Sequence, residues 1–421
     1  MHASRQESQE SGGGAPAPDL EPLEDRISAL PDGILRHVLG FLPADEAVKT
    51  CVLARHWRHQ WRSVRRLRIV HSEKGPRRRS ADDFVRFVNR LLLLRGPGVA
   101  LDEFEVSGSV KVLETEIEEE IHIWIRHVLL CNVRVLIINL WTYLRPPLIS
   151  QHLRRLELNY VDSHADCLDF ATCPGLEVLD ITHGCLSCLR ILSQSVKHLR
   201  IISTCFANSI RACISMPGLI SLQLNHFEGK APLLEMPSLH TAFVRPDDLV
   251  DDCMKRGDYG GACCGICAYC CGTNDHRGRC VLLGGLSNAM YLELIAYRGT
   301  FIFKRDLKGC PTFSKLKTLL LNEWCVAICL SALVCVLEHS PVLEKLILQI
   351  SQDAECKTEA EGRNHRQMER VPKLSERLKL VEIKCKNVGF RVCEIISFLS
   401  RFMQVNLKLV TRNSHLFSFE D

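Results

Sequence analysis

The chain has 421 residues, enough for a large core and more than one module. Hydrophobic residues make up 46% and charged residues 24%, the balance of an ordinary soluble globular protein. A net charge of +4 gives no general argument for nucleic acid or an anionic membrane as a partner, and no apolar run approaches the length needed to span a bilayer. The amino terminus lacks the apolar core of a signal peptide, so the expected compartment is cytoplasmic, nuclear or both. Most of the 22 cysteines are then expected to be reduced thiols.

Residues 1–22 are rich in Ser, Gly, Pro and Glu and are expected to form a disordered tail. The stretch from Asp25 to Arg62 reads as three short helices. Pro31 suits the first turn of a helix. Ile34, Leu35, Val38, Leu39 and Leu42 then fall on one helical face, and Pro43 closes that helix. Asp45 and Glu46 place negative charge at the start of a second helix, whose apolar stripe is Ala47, Val48, Cys51 and Val52. Trp57 and Trp61, four apart, face one way on a third. A unit of this size buries too little of its chain to be stable alone, so its apolar face docks either on a partner or on the rest of the molecule.

Several motifs sit at fixed spacing here: Asp25-Arg26-Ile27-Ser28, Leu30-Pro31-Asp32, Ile34-Leu35, Phe41-Leu42-Pro43, Thr50, Val52-Leu53, Trp57 and Trp61. Together they resemble the F-box of plant F-box/leucine-rich-repeat proteins. The chain departs from that pattern at Ala54-Arg55-His56, where the family has Ser-Lys-Arg, and at Gln60, where it has an apolar residue. The resemblance implies a substrate-recognition adaptor of an SCF-type E3 ubiquitin ligase. Its F-box would bind a Skp-type linker protein and, through it, a cullin scaffold. On this reading Leu30, Pro31, Ile34, Leu35, Val38, Leu39 and Leu42, with Val52, Leu53 and Trp57, contact the linker or support the surface that does.

Residues 62–79 are strongly basic. Such a run is either a nucleic-acid or nuclear-import patch or a solvated linker, and short charge runs favour the linker. Within it Leu67 and Ile69 alternate with arginines, as in a strand. Residues 81–95 and 112–130 read as amphipathic helices. The second is expected to bury Ile121, Trp124, Ile125, Val128 and Leu129 beneath a glutamate-rich outer face.

From residue 101 onward an apolar-x-x-apolar-x-apolar pattern recurs. The central residues Leu136, Leu156, Leu179, Leu199, Leu222 and Ala242 are spaced 20, 23, 20, 23 and 20 apart. Later centres are Leu292, Leu319, Leu346 and Val381. The spacing lies at the short end of the leucine-rich-repeat range, and each unit predicts one short strand of a shared parallel sheet. A β-sandwich is the weaker alternative. The expected fold is therefore α/β: an N-terminal three-helix F-box, then an irregular leucine-rich-repeat solenoid with a parallel sheet on its concave face. The expected divisions are 1–22 tail, 23–62 F-box, 63–100 basic linker and helix, 101–372 repeats, and 373–421 a last repeat or cap. That final part, with a helix over Val388 to Phe402, loosely resembles the FBD-like end of the same plant group.

A cysteine-rich insert over 247–285 interrupts the repeats, and a polar loop covers 352–374. In the insert, Cys264, Cys267 and Cys270 form two overlapping C-x-x-C steps, with Cys280 or His276 available to complete four zinc ligands. A structural zinc site usually has two separated knuckles, so a plain cysteine-rich loop is the competing reading and no cofactor is required. No P-loop, dinucleotide fingerprint, nucleophile elbow, kinase set or H-E-x-x-H occurs, so no active site is expected. Three readings remain: a non-catalytic ligase adaptor with an unidentified protein target, a zinc- or redox-responsive binding protein using Cys253–Cys280, and a repeat scaffold outside any ligase. Membrane and nucleic acid are not expected partners.

Overall fold

The computed structural model describes residues 27, 30–71, 80–95, 98–108, 115–207, 211–247, 280–297, 300–326, 330–350, 375–402 and 406–411. The tail 1–22, most of the insert and the loop 352–374 lie outside these residues.

Helix α1 (Asp32–Leu39) begins one residue later than the sequence implies. Pro31 stands just before it, and its carbonyl accepts the Ile34 and Leu35 amides at 2.9 and 3.1 Å. Proline loses nothing there, because it acts only as an acceptor. The helix ends at Leu39 rather than Leu42. Pro43 instead opens helix α2 (Ala44–Lys49), and its carbonyl accepts from Glu46 and Ala47. The expected third helix is a 3₁₀ segment, Arg55–Ser63. Three residues per turn stack Trp57 and Gln60 on one side, and both are buried, as is Trp61.

The chain leaves this unit directly into a strand, Arg66–Val70, which pairs in parallel with Glu103–Ser107. From there a fifteen-stranded parallel sheet grows: thirteen strands follow one another in sequence order, and the two-residue strands Cys185–Leu186 and Cys205–Phe206 branch off beside Ser221–Gly229. Parallel neighbours need a crossover connection. Early in the sheet these connections carry the helices Ala81–Leu94 and Thr115–Leu130. Phe84 and Trp124 meet edge to face between the two helices with ring centroids 5.9 Å apart. Trp124 Nε1 donates to Asn89 Oδ1 at 2.6 Å. Ile121, Trp124, Ile125, Val128 and Leu129 are all buried.

Register follows the repeat. Phe104 pairs with Leu136, then Leu156, Leu179, Leu199, Leu222, Ala242, Leu292, Leu319, Leu346 and Val381 in unbroken succession. Side chains alternate across each strand, so these positions and those two residues on point into one core. The intervening positions line the opposite face. The strand Asn406–Thr411 extends the sheet beyond the C-terminal helix Phe390–Phe402.

A second parallel sheet of four short strands lies outside the first: Cys167–Asp169, Arg190–Leu192, Cys213–Ser215 and Leu233–Glu235. Its members recur at the same 20–23-residue interval, one per repeat. Between the sheets the chain turns through positive φ at Tyr160, His183, Ser203 and His226, one residue after the regular pairing ends. Four non-glycine residues take this uncommon conformation at one recurring place, so the bend belongs to the repeat.

Candidate functional site

The buried half of the N-terminal helical unit is a framework. Leu35, Leu39, Trp57 and Trp61 are inside, joined to Leu67 and Ile69 of the first strand in one continuous core. Leu30 and Leu42 are half-buried against it. The outer half is apolar and uncovered. Ile34 and Val38, one turn apart on α1, are 49% and 46% exposed, and Phe41 just beyond the helix is 59% exposed. Val52 and Leu53, after α2, are 82% and 69% exposed. Five large apolar groups in so short a stretch exceed the scattered singles of an ordinary surface.

The sequence-derived set thus divides. Ile34, Val38, Val52, Leu53 and Pro31 face outward; Leu35, Leu39 and Trp57 are inside and serve as support. Phe41, quoted only as part of a motif, belongs with the outward group. Its position two residues past the helix hid it from the helical-face pattern. The ring packs against His37 with centroids 5.0 Å apart and lies 5.5 Å from the Arg66 guanidinium carbon.

A polar clamp holds this surface in shape. Arg36 donates to Asp32 Oδ2 and Gln60 Oε1, both at 2.9 Å. Gln60 Nε2 donates to Asp32 Oδ1 at 2.9 Å, and His56 Nε2 stands 3.0 Å from the same oxygen. The clamp joins α1 to the 3₁₀ segment through two residues, His56 and Gln60, that depart from the family pattern.

The basic run is largely neutralised where the structure describes it. Arg65, Arg66 and Arg68 pair with Asp102, just before the neighbouring strand, and with Glu103 and Glu105 on it, at 2.8, 2.7 and 3.1 Å. Cross-strand opposite charges of this kind suit a solvated sheet edge. A groove of about 740 Å³ beside α1 is lined by Gly33, His37, Arg65 and Arg66 among others, so the same paired arginines edge it.

The outward face of the sheet carries a mixed charge pattern. Arg155 pairs with Glu157 and with Asp180, the latter at 3.0 Å. Burial raises the Asp180 carboxyl above its usual range, opposed by Arg155 and Arg200. At the strand ends, Tyr160 stacks on His183 with centroids 4.9 Å apart, Tyr143 meets His164 at 4.8 Å, and His226 pairs with Asp247 at 2.8 Å.

Of the zinc candidates, Cys264, Cys267 and Cys270 lie outside the described residues. Cys280 is described, and its thiol donates to the carbonyls of Asp306 and Gly309 at 3.1 and 2.7 Å. Burial pushes that thiol up to about 12. Nearby, a hydrogen bond from Cys310 lowers the Cys335 thiol to about 7 against its own burial, with His339 adding to the effect; the same bond raises Cys310. Among the described residues no helix is long and apolar enough to cross a membrane.

Known proteins agree with this layout. The F-box domain family matches residues 27–69, from the exposed Ile27 to the first strand. The meiotic F-box protein MOF of Oryza sativa subsp. japonica is 26% identical over 77% of this chain and 71% of its own length. An F-box/LRR-repeat protein of Arabidopsis thaliana is 28% identical over 43% of this chain and 35% of its own. An FBD-associated F-box protein of Arabidopsis thaliana is 40% identical over 17% of this chain and 16% of its own. The chain therefore spans most of the rice relative but only about a third or less of these Arabidopsis relatives. The chain thus carries an F-box leading into a long parallel sheet, and it is similar to plant F-box/LRR-repeat and FBD-associated F-box proteins.

Proposed function

We propose that this chain is the target-recognition adaptor of an SCF-type ubiquitin ligase, binding a Skp-type linker through its F-box and a protein target through its repeats. The observation that carries the reading is the division of the F-box unit into a buried framework and an uncovered apolar surface of Ile34, Val38, Phe41, Val52 and Leu53. Leu30, Pro31 and Leu42 flank the linker contact, while Leu35, Leu39 and Trp57 hold it in shape. The cullin scaffold is reached only through the linker.

The long parallel sheet is read as the concave face of an irregular leucine-rich-repeat solenoid occupying 101–372, capped by 373–421. Its target contacts are the outward residues Arg155, Glu157, Arg200 and Gln223, with the buried Asp180 holding Arg155, and the aromatic and histidine pairs at the strand ends. The chain performs no bond chemistry. It raises the effective concentration of target lysines beside a loaded ubiquitin carrier, and proximity alone is worth many orders of magnitude in rate. Cytoplasm and nucleus both suit such an adaptor.

Co-purification with a Skp-type linker tests the reading. Wild-type chain retains the linker through gel filtration, and Leu30→Ala/Pro31→Ala and Ile34→Asp lose it while keeping wild-type circular dichroism. A folded wild type that retains no linker would return the apolar surface to an internal or scaffold role.

A further inference from the structure

Away from the F-box and the outward sheet face, two sulfurs and an imidazole converge. One ligand atom from each of Cys310, Cys335 and His339 lies within 4.8 Å of the other two. Cys335 and His339 are four residues apart at the C-terminal end of the helix Ser331–Glu338, so the helical turn itself sets them on one face. Cys310 comes from the other side, directly after the 3₁₀ turn Leu307–Gly309. The Cys335 sulfur is 4.0 Å from His339 Nδ1. That nitrogen also lies 2.8 Å from the Cys335 carbonyl, a hydrogen bond it gives up, with its proton, when it binds a metal. All three residues are half-buried, within reach of solvent yet held by neighbours.

We propose that Cys310, Cys335 and His339 bind one Zn²⁺ as a structural site, with Cys280 supplying the fourth ligand. Thiolates and an imidazole are the donor set zinc prefers; of the nearby carboxylates, Asp306 is engaged by the amides of Val281, Leu282 and Leu283, and Glu338 is exposed at the end of the helix. Ligand atoms on a tetrahedral zinc with bonds of roughly 2.3 Å to sulfur stand roughly 3.8 Å apart, so the cluster needs little contraction. Cys280 is placed for the fourth position because its thiol already rests on the carbonyl of Gly309, the residue before Cys310. On binding, zinc displaces the thiol protons to solvent and no oxidant is involved. The ion ties three separate stretches together where the chain re-enters the repeats after the insert. This site differs from the C-x-x-C reading in all but Cys280, and it joins residues whose spacing of 25 and 4 gives no sequence signature.

The test is metal content of the full chain, purified after expression in zinc-supplemented medium, with a cobalt-substituted sample alongside. Wild type is expected to carry about one zinc equivalent and to show the charge-transfer absorption of tetrahedral cobalt–thiolate. Cys335→Ser/His339→Ala is expected to lose both, while Cys264→Ser/Cys267→Ser/Cys270→Ser keeps both. Should the first variant fail to fold, Cys310→Ser alone is read by the loss of one thiolate's share of the cobalt band. The proposal is overturned by zinc that follows the Cys264 group alone, by metal-free protein that takes up no cobalt, or by a Cys310–Cys335 disulfide in the non-reduced, metal-free chain.

Discussion

Gln60 Nε2 donates to Asp32 Oδ1 at 2.9 Å across a separation of 28 residues, and this bond fixes the 3₁₀ segment against the first turn of α1. Gln60 is buried, and its other amide atom accepts from Arg36, so the side chain has both ends satisfied. Its partners Asp32 and Arg36 reach solvent and keep each other, so removing Gln60 costs an ordinary hydrogen bond's share, about 0.5–1.5 kcal/mol. Gln60→Ala is expected to lower amide protection in α1 by that amount, measured by hydrogen exchange, with the sheet strands unchanged. Unchanged α1 protection would show that the clamp is not holding the helix.

Surface and framework residues of the F-box unit differ in what they break. Val38→Asp is expected to leave the thermal unfolding of the chain within a few degrees of wild type and to weaken linker binding at least tenfold. Leu35 is fully buried, and Leu35→Ala is expected to destabilise the unit by about 2–5 kcal/mol. Limited proteolysis separates the cases: early cleavage near α1 appears in Leu35→Ala and not in Val38→Asp.

The turns between the two sheets leave little room. Gly229 has φ of +80, and an added Cβ would meet the carbonyl of Phe206 on the neighbouring repeat. Gly229→Ala therefore carries both a left-handed backbone penalty and a clash, together costing about 1–3 kcal/mol. A drop in the melting temperature of the sheet is the expected result. Gly33, with open space around its Cβ position, is the control, because Gly33→Ala adds helix propensity in α1 and is expected to be neutral or stabilising.

Asp306 anchors the return from the insert, its buried carboxylate accepting three successive amides at 3.0, 2.7 and 2.9 Å. Asp306→Ala leaves these donors unpaired and is expected to expose the backbone at 281–283 to rapid hydrogen exchange. Asp306→Asn, which keeps one carbonyl oxygen, is expected to fall between the two.

The apolar repeat made much of the sheet legible. Leu136, Leu156, Leu179, Leu199 and Leu222 pair side by side because a period-2 pattern specifies which face is buried, and a one-residue slip would expose every leucine. The second sheet was not legible: strands such as Cys213–Ser215 are too short to show alternation. The polar clamp was hidden for another reason. His56 and Gln60 read as departures from a motif, and only folding shows that both meet Asp32. Cys310 and Cys335 likewise carry no spacing signal, since their meeting depends on how consecutive repeats stack. The sequence marks Pro31 and Pro43 as helix punctuation, but Pro31 stands one residue before α1 and Pro43 opens α2 rather than closing α1, because proline serves a helix start from outside as well as from within.

The most direct measurement is a calorimetric titration of a Skp-type linker into the purified full chain, wild type against Ile34→Asp/Val38→Asp. The account predicts saturable one-to-one binding with a negative heat-capacity change, as apolar surface is buried, and its loss in the double variant with folding intact. Equal affinity in wild type and double variant, or no binding by a folded wild type, would contradict it.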